Sequence, residues 1–351
     1  MTNFSSGWGG GERWFLSVGN KLLERGFEVQ WWVKTGSVLE QKLKSSNRSY
    51  FTGNGQASNL LNPFAVHDAI KAVKSFAPDI VLLNASHELK LGGMVCKWAG
   101  VPAIIFRRGV SYPLSKNALN SWYMNNVATA FLANSNSTFN SFAAAFPIVK
   151  KIPNATIYNG IELSEHEHYD KITVPSRILM SARLSPEKGI DRALKVIAKI
   201  KEKGIDCHLR VLGEGPQLQH LENYAKALGI EDRVTFVGFV EDVEAELAQA
   251  AVFLFTPVRG EGTSFALVEA MAIGLPCLAF NSPSMDEVII ENETGYLINN
   301  DNVEGMANKL IDVLNDPELQ QRLGENGRNR AFSHFSLDRL VNQLTEFFLI
   351  V

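Results

Sequence analysis

The sequence predicts an α/β protein made of two Rossmann-like, doubly wound parallel-sheet domains. Three observations carry this reading. Short apolar runs alternate with stretches of helical period through both halves of the chain, a polar stretch at Leu163–Ser176 interrupts the alternation midway, and 351 residues suffice for two domains of ordinary size. Strands joined through helices run parallel, because each helix carries the chain back across the sheet, and such a sheet is covered on both faces. The expected division is 1–162, 163–335 and a closing helix at 336–351.

Composition narrows the class further. An apolar content of 46% with 20% charged residues describes a globular chain and not a disordered or fibrous one. No apolar run approaches the ~20 residues a spanning helix needs, and no signal-peptide pattern opens the sequence, so a cytoplasmic protein is expected. Cys96, Cys207 and Cys277 fall in predicted helix or strand without disulfide or metal spacing, and read as reduced core residues. The net charge of −3 hides a split. Residues 1–165 carry 16 Lys and Arg against 9 Asp and Glu, and the remainder 18 against 28. A basic first half suits an anionic acceptor or peripheral contact with a membrane surface. Ordinary variation of surface charge between lobes accounts for it equally well. Nothing resembles a nucleic-acid site.

The elements follow in order. Met1–Ser6 holds one large apolar side chain, Phe4, and no β-branched run, so no buried strand is expected there. Gly7–Gly11 is a loop leading into a helix over Glu12–Arg25, and Glu28–Lys34 is a strand. Thr35–Asn62 is polar and reads as mobile. Helices at Val66–Phe76, Leu89–Ala99, Ala118–Asn126 and Ser135–Phe146 alternate with strands at Asp79–Asn84, Pro102–Arg107 and Thr129–Ala133. In the second half the strands are Arg177–Ala182, Cys207–Leu212, Val234–Val237, Val252–Thr256 and Pro276–Ala279. The helices are Gly189–Lys203, Pro216–Leu228, Val243–Ala250, Ser264–Ile273, Val303–Leu314, Pro317–Phe332 and Ser336–Phe348.

The chemistry concentrates after two strands of the second half. Following Val252–Thr256, the stretch Arg259–Ile273 (RGEGTSFALVEAMAI) delivers a turn into a helix. Thr263 and Ser264 suit its N-cap, and a helix start at a strand end offers N–H groups and a positive dipole end to phosphate or sugar oxygens. Glu261 in the turn and Glu269 in the helix, with seven residues between them, can face one ligand. A capped amphipathic helix with two solvated acids is the plain alternative. The second signal is Ser181–Asp191 (SARLSPEKGID), where Arg183 and Lys188 leave a loop for a helix start and can converge on one diphosphate. The third is the glycine turn Leu212-Gly213-Glu-Gly-Pro216, with Gly238-Phe239-Val240 after a later strand.

These stretches resemble, in order and spacing, the retaining GT-B glycosyltransferases of family 4, with their E-x7-E and G-R-L-x-x-x-K-G motifs. The resemblance runs from about Gly9 to Leu340 and is strong in the second half and thin in the first. It implies two lobes facing across a cleft, the acceptor on the first and a nucleotide-diphosphate sugar on the second as donor substrate, with no cofactor. The last helix crosses back to brace the first lobe. Arg183 and Lys188 would hold the donor diphosphate, Glu269 the ribose and Glu261 the transferred sugar. The backbone of Gly262, Thr263 and Ser264 would meet sugar or phosphate oxygens, and Gly213, Phe239 and Val240 would flank the base. Thr263-Ser264 departs from the aromatic and Gly or Pro common in the family, which leaves the donor sugar open.

In the first half, Gly10 and Gly11 match the family's acceptor- or phosphate-cradling loop. His87 stands at a strand end beside Glu88, where an H-E pair is frequent, although a lone histidine is more often structural. Arg108 occupies the position of a usual histidine and can act only electrostatically. His166 and His168 read as solvated linker residues. No D-x-D or metal-ligand cluster occurs, so a metal-independent transfer is implied, with cell-surface polysaccharide, lipopolysaccharide or glycolipid as the expected glycan or glycolipid acceptor. The rivals are a GT-B sugar-nucleotide epimerase and a non-catalytic partner subunit. The family also places a strand ahead of the glycine loop, in mid-sheet. Its apparent lack here leads to the expectation that the native protein begins upstream and that this first domain is poorly ordered.

Overall fold

The computed structural model describes residues 1–54, 60, 62–112, 114–163, 174 and 176–351. His166, His168 and most of the linker stretch lie outside them. The chain forms two compact units, Met1–Asn159 with Leu337–Val351, and Gly160–Ser336.

The first unit is a seven-stranded sheet: β1 (Thr2–Asn3), β2 (Trp31–Lys34), β3 (Tyr50–Gly53), β4 (Ile80–Leu83), β5 (Ala103–Arg108), β6 (Ala130–Ala133) and β7 (Asn154–Thr156). Its spatial order is β3-β2-β1-β4-β5-β6-β7, parallel throughout. The opening residues therefore correct the sequence expectation. Thr2 pairs with both Trp32 and Leu83, which places β1 in mid-sheet. Two residues suffice because the chain just beyond them is held by a buried aromatic contact: the Phe4 ring packs edge-on against Trp32 at 5.1 Å, and Trp32 stacks on Phe51 at 5.1 Å.

Thr35–Asn62 also differs from expectation, since it contains a helix at Val38–Ser45 and the edge strand β3. The helix is capped by Ser37, whose hydroxyl accepts from Glu40 N–H, and it buries Leu39 and Leu43 against Trp31 and Val33. A short edge element with two apolar anchors has too little period to be read from sequence. On the other side of the sheet centre, Phe106, Phe131, Phe142 and Phe146 form a buried aromatic stack. The helix Leu337–Phe348 belongs to this unit and buries Leu337, Leu340, Val341, Leu344 and Phe347 along one stripe. Lys21 and Arg25, around the end of the helix Gly10–Glu24, form ion pairs with Asp338, and Arg25 also donates to Asn342.

The second unit is a six-stranded parallel sheet of β8 (Arg177–Ser181), β9 (His208–Leu212), β10 (Val234–Gly238), β11 (Val252–Phe255), β12 (Cys277–Phe280) and β13 (Gly295–Ile298), in the order β10-β9-β8-β11-β12-β13. Chain order reverses between β8 and β11. In open α/β sheets ligands bind beyond the strand C-termini at such a reversal. β11 (Val-Phe-Leu-Phe) is wholly buried, as a central parallel strand must be. The helix Ile190–Glu202 packs Ile190, Ala193, Leu194, Ile197 and Ile200 into the core at helical spacing. β7 and β13 went unread: each is short, and β7 (Asn-Ala-Thr) lacks a large apolar side chain.

Candidate functional site

The second unit brings the two strongest motifs together at the β8/β11 reversal. β8 ends at Ser181, and the chain turns through a single 3-10 turn, Pro186–Lys188, into the helix Ile190–Glu202. Gly189 makes the corner at φ 62°, against the exit of β11: a Cβ there would lie 2.0 Å from the Thr256 carbonyl oxygen. The same exit is fastened by the Thr256 hydroxyl, which donates to Gly189 O at 2.8 Å, and by Val258 N–H, which donates to Glu187 O at 3.0 Å. With the loops so joined, the Lys188 ammonium bonds the Glu261 carboxylate. These two were assigned to different parts of one ligand; the structure makes them partners.

Arg183 is exposed on the same loop. A hydrogen bond from the Ser185 hydroxyl, aided by the charges of Lys188 and Arg183, holds the Glu187 carboxyl below its ordinary range. Glu269 lies in the helix Phe265–Ala272 and is buried, as are Gly262, Thr263 and Ser264. Ser264 is the N-cap residue, but its side chain makes no capping bond, which corrects the hydroxyl-cap expectation.

The glycine turn after β9 closes the floor. Gly213 N–H donates to Gly238 O at 2.7 Å, at a φ of 121° where a Cβ would meet Ala182 O at 2.2 Å. Leu184 N–H donates to Glu214 O, joining this turn to the Arg183 loop. Phe239, beside it, is 68% exposed, an apolar ring face open to a planar partner, and Val240 is half-buried.

Sequence reasoning missed Arg192. Its Nη1 donates to Pro257 O at 2.9 Å, Nη2 to Asn300 at 2.8 Å and Nε to Asp301 at 2.9 Å. No local signal marks it, because its partners lie at 257, 300 and 301.

The first unit gathers a separate polar group at the exits of β1, β4 and β5. Gly10 is the first residue of its helix, and a Cβ on Gly11 would approach the Asn84 amide nitrogen at 3.0 Å. His87 is partly exposed and its ring lies 3.9 Å from Glu88; burial first, then Lys34 and Lys90, lower its pKa. Arg108 is buried, donates to Tyr112 O at 3.1 Å and stands 5.6 Å from the Phe142 ring centroid. The better-connected cation is its neighbour Arg107, which donates to Asn84 and Asn159 at 2.6 Å and stacks on Trp14.

Glu88 holds this group together. Its carboxylate accepts from Phe4, Asn84 and Ala85 N–H at 3.0, 2.5 and 3.0 Å. Burial nevertheless pushes its pKa up to about 7. A raised carboxyl pKa means the folded chain keeps a proton that the unfolded chain releases. Stability from this group is therefore full below the ordinary glutamate value and is lost as pH rises through about 7, by up to about 3 kcal/mol. Glu88→Gln, neutral throughout, should flatten the dependence of the urea midpoint between pH 5 and 8. An unchanged slope would refute this assignment.

A sheet of this Rossmann order, with its loops meeting at the strand exits, defines a doubly wound α/β protein. Two family models together match the chain from residue 8 to 330: Glycosyltransferase Family 4 over residues 8–165 and Glycosyl transferases group 1 over 164–330. The chain belongs to this family, the GT-B glycosyltransferases. It is 36% identical over 167 residues to an uncharacterized glycosyltransferase of Haemophilus influenzae, a match covering 47% of each chain. It is 33% identical over 156 residues to the N-acetyl-alpha-D-glucosaminyl L-malate synthase of Bacillus anthracis, covering 44% of this chain and 40% of the relative. The matches thus span about half or less of these relatives. Among solved structures, Anabaena HepE in complex with UDP superposes with a TM-score of 0.86 at 18% identity, over 100% of this chain and 99% of HepE. Sucrose-phosphate synthase of Thermosynechococcus elongatus gives 0.78 at 17%, over 99% and 97%. These likenesses establish the fold.

Proposed function

We propose that this protein transfers a sugar from a nucleoside-diphosphate donor to an acceptor hydroxyl, with retention and without a metal. The carrying observation is the Lys188–Glu261 pair at the β8/β11 reversal, with Arg183 on the same loop. When the glycosidic bond to the β-phosphate breaks, negative charge grows on the leaving diphosphate. Lys188 and Arg183 supply preorganised positive charge there. Glu261 is then released from its cation to contact hydroxyls of the sugar, and Glu269 accepts from the ribose hydroxyls. The acceptor oxygen bonds to the anomeric carbon on the face the diphosphate leaves, and its proton passes to the departing phosphate oxygen.

The acceptor, a glycan or glycolipid of a cell-surface polysaccharide, lipopolysaccharide or related glycolipid, is assigned to the first unit. Gly10, Gly11, His87 and Arg108 stand at its strand exits, and the positive charge of that half favours an anionic acceptor. Among the described residues no helix is long and apolar enough to cross a membrane. Exposed Trp98, Leu119 and Trp122, with the nearby cations Lys97 and Lys116, support peripheral contact with an anionic lipid surface on the cytoplasmic side.

Uridine is the first nucleotide to test, since HepE was crystallised with UDP. Calorimetry should show UDP, or GDP if the base differs, binding the wild type. Glu269→Gln should weaken that binding about tenfold or more, the scale of a lost charged hydrogen bond. Glu261→Gln should leave it within about twofold while lowering turnover of the sugar nucleotide. Equal loss of nucleotide affinity in both variants would sink the division of roles.

A further inference from the structure

Arg192 touches none of the positions assigned to ligand, yet it is nine-tenths buried and all three of its guanidinium nitrogens donate to loops. Its donors reach Pro257 O after β11 and Asn300 and Asp301 after β13, and the residue itself opens the helix that follows the Lys188 turn. The fourth strand exit contributes the Phe280 ring, whose centroid lies 4.9 Å from the guanidinium carbon. A buried cation is costly unless all its donors are used, and an apolar residue would fill such a space at less cost. What an apolar residue could not do is fix three loop exits against one another. Pro257 begins the turn that carries Glu261, so the fork sets that turn relative to Lys188.

We propose that Arg192 is a positioning residue for the diphosphate end of the donor site, acting through the Lys188 and Glu261 loops. The inference rests on the nucleotide-sugar reading above. It makes a distinction a merely structural role does not. The glycine turns at Gly213 and Gly238, assigned to the base, lie at the ends of β9 and β10, and neither bonds the fork. Loosening Pro257–Gly262 should therefore weaken recognition of the second phosphate and spare the rest of the nucleotide.

The test is calorimetry on the full chain with UDP, GDP and the corresponding monophosphates. Arg192→Lys, which keeps charge but loses the planar fork, should lower diphosphate affinity about tenfold and leave monophosphate affinity within about twofold. Asp301→Gly guards against a folding failure: it removes the partner carboxylate while suiting the left-handed backbone there, φ 63°. It should give the same selectivity, about threefold in size. On a Lys188→Ala background Arg192→Lys should add nothing, because both act on the same phosphate. Parallel loss of mono- and diphosphate binding, no loss in either variant, or additive effects would overturn the proposal. A wild-type protein that binds neither diphosphate would instead overturn the nucleotide-sugar reading, and the two failures are told apart by that control.

Discussion

Lys188→Ala should lower turnover of the sugar nucleotide by about two to three orders of magnitude, with kcat and kcat/KM falling together. Two effects add. The first is loss of a preorganised cation where charge develops on the leaving phosphate, an interaction stronger in the transition state than in the ground state. The second is release of Glu261, whose side chain is only 19% exposed and bonded to Lys188. An anion left beside a departing anion repels it. Lys188→Arg should recover part of the rate, because charge is restored and only the geometry differs. Steady-state rates on the nucleotide sugar selected by thermal stabilisation measure this, and a Lys188→Ala protein with unchanged turnover would refute the assignment.

The largest stability effect is expected at a residue with no side chain. Gly189 sits at φ 62°, and a Cβ would fall 2.0 Å from Thr256 O and 3.0 Å from Arg192 Cδ. Backbone on one side and a fully engaged guanidinium on the other leave no direction of escape. Gly189→Ala should destabilise the second unit by about 3 kcal/mol or more, combining left-handed strain of about 1–2 kcal/mol with a clash that must part β8 from β11. Gly204→Ala is the control: its φ of 74° imposes the same strain, but nothing lies within 4 Å of the new atom. Urea unfolding should show a cost of only about 1 kcal/mol there. Equal costs at the two sites would show that the close approach of loop and strand exit is not what matters.

Much of the architecture was legible in the sequence. The helices Ala118–Asn126 and Val303–Leu314 end where their periodicity ends, and the remaining long helices shift by a few residues. The buried strands of the second unit stand out because an interior parallel strand is apolar on both faces. Position in a motif likewise led to Lys188, Glu261 and Glu269, since the chemistry required a cation and acids near strand exits.

Other features depended on distant partners. Thr2–Asn3 carries no strand signal of its own; it is a strand because Trp32 and Leu83 present edges to it and Phe4 finds a pocket beside Trp32. The Lys188–Glu261 bond joins residues far apart in the chain, and it exists because Gly189 allows two loops to touch. Arg107 drew less notice than Arg108 in the sequence, yet it is the cation tied into the polar network around Glu88, because Asn84 and Asn159 come from other elements. Local sequence determined which segments fold as helix or strand and which residue types could meet a sugar nucleotide, for periodicity and propensity are properties of neighbours along the chain. Which buried polar groups found partners, among them Glu88, Arg107 and Arg192, was decided only by tertiary structure, for a hydrogen bond depends on proximity in space.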